Sequence, residues 1–211
     1  IAASIMSAPA ALVMAKLLVP ETGTPVTADS LETTVENPDV NVIDAAARGA
    51  SEGLRLALVV GAMLIAFVAL IMMANGIVGW AGGLVGIDGL TIEMMLGWLL
   101  APVAWMLGIP WVDATIVGQL IGVDFVVNEF VAFVQLEGVL AAGTELQARS
   151  LVISIYALAT FANFGSVAMT IAGVGELAPE RRHDLARLGV KAMFAGLLAA
   201  LLTAAFAGVL V

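Results

Sequence analysis

Uncharged runs, closed by charged residues or by glycine and proline clusters, divide this chain into helical segments. Ile1 to Ala15 is a run of 15 residues that ends at Lys16. It falls short of the ~20 residues that cross a bilayer, so residues 1–18 read as the end of a transmembrane helix that begins upstream. Residues 19–52 read as an acidic loop and an interfacial helix. Pro20 to Asp44 holds Glu21, Asp29, Glu32, Glu36, Asp39 and Asp44 and three prolines, a solvated composition with no core-forming period. Asn37-Pro38 is a helix start, and Val42, Ile43, Ala46 and Ala50 form a weak apolar stripe suited to the membrane surface. Leu56 to Trp80 then runs 25 residues without a charge. This predicts a transmembrane helix over 53–81, anchored by Arg55 and Trp80.

The second part of the pattern is more broken. Met94 to Val112 is uncharged but interrupted by Gly97, Pro102, Gly108 and Pro110, which predicts an interfacial or kinked helix over 90–109. Residues 112–143 are apolar enough to enter a membrane, yet Asp124, Asn128 and Glu129 lie near the middle. Residues 148–176 predict a discontinuous transmembrane helix, interrupted at Phe161-Ala-Asn-Phe-Gly-Ser166 with Gly165 as the unwinding point. Residues 188–211 predict a plain C-terminal transmembrane helix.

Composition then fixes the class. Of the 211 residues, 62% are hydrophobic and 12% charged, and mean hydropathy is +1.08. A soluble domain has about 45–50% apolar and about 25% charged residues. The net charge of −9 would repel a phosphate backbone, so nucleic acid is excluded as a partner. Cysteine is absent and His183 is the single histidine, which removes thiolate chemistry and leaves little for a Ser-His-Asp triad. No HExxH motif occurs and the single histidine leaves a Ser-based triad without material, so the chain does not read as an enzyme. The fold class is an all-α integral membrane protein in a lipid bilayer.

Basic residues set the expected orientation. Arg181, Arg182, Arg187 and Lys191 make loop 179–191 cytoplasmic by the positive-inside tendency, and the C-terminus extracytoplasmic. Counting back to Arg48, Arg55 and Lys16 closes only if 112–143 begins and ends on the same outer side. That predicts a re-entrant hairpin turning near Asn128-Glu129, with Gly118 and Gly122 packing its two arms together.

An ionisable group at membrane depth needs a partner or a purpose. Glu129 either snorkels to water from a helix end or projects its carboxylate into a water-filled site. Asn163 and Ser166 either staple helices or complete such a site, as broken helices do in secondary transporters. A lone Asp124 is too little for a cation site. The four tryptophans read as interfacial anchors and the methionines as packing.

Asn128-Glu-Phe-Val-Ala-Phe133 and Phe161-Ala-Asn-Phe-Gly-Ser166 resemble the two signatures of the concentrative nucleoside transporters. Ser4-Ile-Met-Ser-Ala-Pro9, Leu17-Leu-Val-Pro-Glu-Thr22 and Leu177-Ala-Pro-Glu-Arg-Arg-His-Asp-Leu-Ala-Arg-Leu-Gly189 are similar to that family as well. The resemblance implies the C-terminal half of an inverted-repeat transporter, with a re-entrant hairpin and a broken transmembrane helix. It implies a homotrimeric, multi-pass nucleoside symporter of the plasma (inner) membrane, driven by sodium or a proton and using no cofactor. Glu129, Asn163 and Ser166 would hold the ribose, Phe161 would line the pocket, and Asn128 belongs to the same motif. The nucleobase contacts and the ion site would lie mostly in the first half. Many members carry lysine where this chain has Asp124. Transport of another polar solute, a nucleobase or a sugar, and a non-transporting membrane scaffold are the alternatives.

Overall fold

A computed structural model describes residues 1–23, 39–177 and 179–211. The described residues are helical, in eight α-helices: α1 (Ala2–Leu18), α2 (Val42–Leu84), α3 (Ile92–Met106), α4 (Trp111–Val126), α5 (Glu129–Ala141), α6 (Ala148–Leu158), α7 (Phe164–Leu177) and α8 (Arg182–Val209), with a 3-10 turn at Pro179–Arg181. They form two compact units, Glu21–Met72 and Ile1–Pro20 with Met73–Val211.

In the smaller unit, Asn41 caps α2, its Oδ1 accepting from the amides of Ile43 and Asp44 at 3.0 Å each. The Asn37-Pro38 start predicted from sequence lies outside the described residues. Arg48 grips Asp39 through two hydrogen bonds of 2.7 and 2.6 Å and reaches Glu52 at 3.1 Å. This guanidinium holds the Asp39 carboxyl below the usual carboxylate range. The interfacial and transmembrane helices drawn at 19–52 and 53–81 are one helix here, α2 being unbroken from Val42 to Leu84. The chain has no proline between Pro38 and Pro102, and charge alone does not interrupt a backbone ladder.

In the larger unit, α3 and α4 form a tight pair bent by 118°. Gly108, at φ 96°, ends α3 in a Schellman turn, with its own amide on Trp105 O and that of Ile109 on Ala104 O. Pro110 then opens α4. The two backbones touch through glycine. A Cβ on Gly118 would lie 2.8 Å from the Leu100 carbonyl carbon and the Ala101 nitrogen, and one on Gly122 would lie 2.6 Å from Leu96 Cβ. Gly118 and Gly122 therefore serve the α3–α4 contact rather than the α4–α5 arms assigned from sequence. Small-residue pairing identifies a close approach but not its partner.

The core is built where α3, α4, α6 and α8 meet, around Ala101, Ala104, Val117, Ile121, Ile153, Ala157 and Ala204. Gly208 of α8 lets Ile153 of α6 approach, its Cδ1 lying 2.8 Å from where a Cβ would stand. α1 buries Ala3 and Ala10, and its Ser7 hydroxyl pairs with that of Thr203 on α8 at 3.2 Å. At the other end, Asn75 of α2 accepts from the Ile92 amide at 2.8 Å and donates to both Glu93 oxygens.

Two boundaries differ from the sequence expectation. The basic segment 179–191 is largely the start of α8, which begins at Arg182 rather than near 188. Its charges ride on helix, with Arg181 donating to Asp184 at 2.8 Å. The break between α6 and α7 covers 159–163, so Gly165 lies inside α7 rather than at the unwinding point. Among the described residues, α8 is long and apolar enough by itself to cross a membrane. Leu12, Trp80, Met106 and Phe206 present large apolar side chains outward, a surface suited to hydrocarbon rather than water.

Candidate functional site

Two helix starts bring the polar motifs together. α4 stops at Val126, and Asn128 caps α5 by accepting from the Val131 amide at 2.9 Å. That cap makes Glu129 the first residue of α5, where the positive end of the helix favours a carboxylate. On the other side, Asn163 Oδ1 accepts from the Ser166 amide at 2.9 Å and opens α7. The Ser166 hydroxyl in turn accepts from the Asn163 amide at 3.2 Å and donates to the Asn163 carbonyl at 2.7 Å. This is a capping box in which serine takes the usual place of Glu or Gln. The Asn163 amide nitrogen is left pointing away from its own helix. It donates to Glu129 Oε2 at 3.2 Å, closing the gap between the α5 and α7 starts.

The chemistry on offer follows from this accounting. Glu129 accepts from Asn163 through Oε2 and, as a carboxylate, has further lone pairs to receive donors, and Asn163 Nδ2 has a second hydrogen to give. Ser166 has committed its proton and one lone pair to Asn163. The site thus presents an acceptor pair beside a donor, a set that matches two adjacent hydroxyls better than an anion. The described residues hold no group of three or more His, Cys, Asp or Glu side chains able to bind a metal.

Of the five residues singled out from sequence, Glu129, Asn163 and Ser166 form one hydrogen-bonded unit. Asn128 is spent on its own helix cap. Phe161 is 68% exposed and lines, with Ser166, Thr170, Met193 and Gly196, an open groove of about 630 Å³. Sequence reasoning did not find the aromatic wedge behind the site. Phe125, at the end of α4, stands 6.0 Å from Phe164 of α7 and 5.3 Å from Phe194 of α8, centroid to centroid, both tilted. Nor did it find Asp113, a buried acid at the start of α4. Asp113 accepts from the Ser150 hydroxyl at 2.6 Å and the Gln147 amide at 3.1 Å, docking α4 on the first turn of α6. An acid in a first helical turn after Pro110 was the available signal, but its partners lie 34 and 37 residues away.

Comparison with known proteins bears on the family and the overall fold. The chain is 49% identical over 212 residues to the uncharacterized transporter YutK of Bacillus subtilis, covering all of this chain and 52% of that protein. It is 43% identical to the nucleoside permease NupC of Helicobacter pylori, covering all of this chain and 50% of the permease. The chain thus spans about half the length of these curated relatives. Among solved structures, CNTnw in an inward-facing substrate-bound state superposes with a TM-score of 0.88 at 48% identity, over 99% of this chain and 49% of CNTnw. A CNTnw variant in an outward-facing state gives 0.89, over 99% of this chain and 50% of the variant. Residues 1–208 match the family described as "Na+ dependent nucleoside transporter C-terminus", and the chain belongs to that family of membrane proteins.

Proposed function

We propose that this chain is the C-terminal portion of an ion-coupled nucleoside symporter that imports nucleosides, driven by sodium or a proton. The carrying observation is the Glu129–Asn163 bond between two helix starts. A carboxylate with lone pairs to spare beside an amide N–H suits the vicinal hydroxyls of a ribose. The relatives named nucleoside permease and sodium/nucleoside cotransporter support the same substrate class.

In this reading, Glu129, Asn163 and Ser166 hold the sugar, Phe161 borders the path along its groove, and Asn128 fixes the α5 start. α4 and α5 form a re-entrant hairpin that enters and leaves on the extracytoplasmic side, and α6 and α7 are one broken transmembrane helix. The segment 179–191 faces the cytoplasm, the C-terminus faces outward, and the full protein is an inverted-repeat homotrimer. No bond is made or broken, so the protein is a carrier and not an enzyme.

Calorimetry on the full-length transporter with uridine, adenosine, ribose and uracil tests the substrate class. Binding of the nucleosides well above ribose and uracil is expected. Uracil or ribose binding as tightly as uridine would favour another polar solute, and no binding at all would favour a scaffold. The hairpin is tested by single-cysteine labelling in this cysteine-free background. Val112→Cys and Thr144→Cys, both at exposed positions, should react with an impermeant reagent from the same side. Labelling from opposite sides would make the segment a spanning one.

A further inference from the structure

Asp124 is the outlier of this molecule. It is 1% exposed, and among the described residues neither of its carboxyl oxygens has a hydrogen-bond partner. It stands on the last turn of α4, between Gly122, which is pressed on Leu96, and Phe125, which is wedged against Phe164 and Phe194. The charged side chains on the elements packed around it are otherwise engaged or turned outward. Glu93 of α3 is bonded to Asn75, Asp113 of α4 to Ser150, and Arg149 of α6 to the main-chain oxygens of Gly108 and Val211. Glu137 of α5 and Arg182, His183, Arg187 and Lys191 of α8 are exposed, Asp184 of α8 is held by Arg181, and Tyr156 of α6 is half-buried. Glu129, of the same sign, follows five residues on, across the α4–α5 break.

A buried carboxylate survives as an anion only when paired or hydrogen-bonded, and Asp124 is neither. We propose that Asp124 is a proton-binding site, loaded when the α4–α5 break is packed as it is here. The step is the simple equilibrium of one carboxylate with one solvent proton, and no other group is consumed. Losing the proton would place a second negative charge behind Glu129. It would also draw water to the end of α4, loosening the Phe125 wedge and the Glu129–Asn163 bond. The packed, nucleoside-binding arrangement is therefore the protonated one and is lost as pH rises through the titration of Asp124. This linkage rests on the sugar-site reading above; the protonation itself does not.

Two measurements on the full-length transporter separate these layers. Infrared spectroscopy without nucleoside should show the carbonyl stretch of a protonated carboxylic acid at neutral pH, and Asp124→Asn should remove it. A band unchanged in the variant, or no band in the wild type, overturns the proposal whatever the substrate proves to be. Nucleoside affinity in the wild type should fall about tenfold per pH unit above the titration. In Asp124→Asn, and in Asp124→Leu should the amide disturb folding, affinity should be flat over that range. A variant that keeps the wild-type pH profile overturns the link to binding.

Discussion

The α3–α4 pair and the α5–α7 junction are both close approaches of helices, but they are made in opposite ways. At α3–α4 the absence of side chains does the work, since Gly118 and Gly122 let backbone and Leu96 come within contact distance. At α5–α7 two asparagines cap the helices, and one of them spans the remaining gap to a carboxylate. The first contact has nothing to give a ligand and is filled. The second leaves lone pairs of the Glu129 carboxylate and one Asn163 hydrogen to spare, and a spare donor and acceptor are what a polar substrate can use. The filled contact and the polar one thus lie on neighbouring segments of the same unit, with the break after α4 between them.

The largest effect should come from filling the glycine contact. Gly118→Leu forces side-chain atoms into the α3 backbone and should destabilise by about 3 kcal/mol, seen as a lower thermal midpoint in detergent. Gly138→Ala on α5, where a Cβ meets nothing within 4 Å, should instead stabilise by up to about 1 kcal/mol. Equal effects at the two glycines would break the comparison on its packing side.

Much of this was legible in the sequence, and the failures have physical causes. Long uncharged runs and high hydropathy pointed to an all-α chain, and Glu129, Asn163 and Ser166 stood out because polar groups in apolar runs need reasons. Pairing was not legible: Gly118 and Gly122 announce a close neighbour without naming it. The Asp113–Ser150 bond and the Phe125–Phe164–Phe194 wedge depend on the three-dimensional path, because no local period connects residues so far apart. The continuity of α2 was hidden because Arg48, Glu52 and Arg55 look like a boundary. Polar faces of a helix and loops share that composition.

A smaller effect sharpens the other side of the comparison. Asn128→Ala and Asn163→Ala each remove a helix cap and should each lower stability by about 1 kcal/mol. Asn163→Ala should also weaken nucleoside binding about tenfold, the value of one hydrogen bond, whereas Asn128→Ala should leave affinity nearly unchanged. Parallel losses of affinity would mean that both asparagines act only through the helices they cap.

The central claim is that the Glu129 carboxylate receives the ribose hydroxyls. A double-mutant cycle on the full-length transporter tests it, pairing Glu129→Gln with replacement of the nucleoside by its 2′,3′-dideoxy analogue. A hydrogen bond to a charged group contributes about 1.5–3 kcal/mol, so each change alone should lower affinity roughly 10- to 150-fold. Made together, they should lower it little further, because both delete the same contact. If the two losses multiply in full, Glu129 does not touch the sugar and only joins α5 to α7.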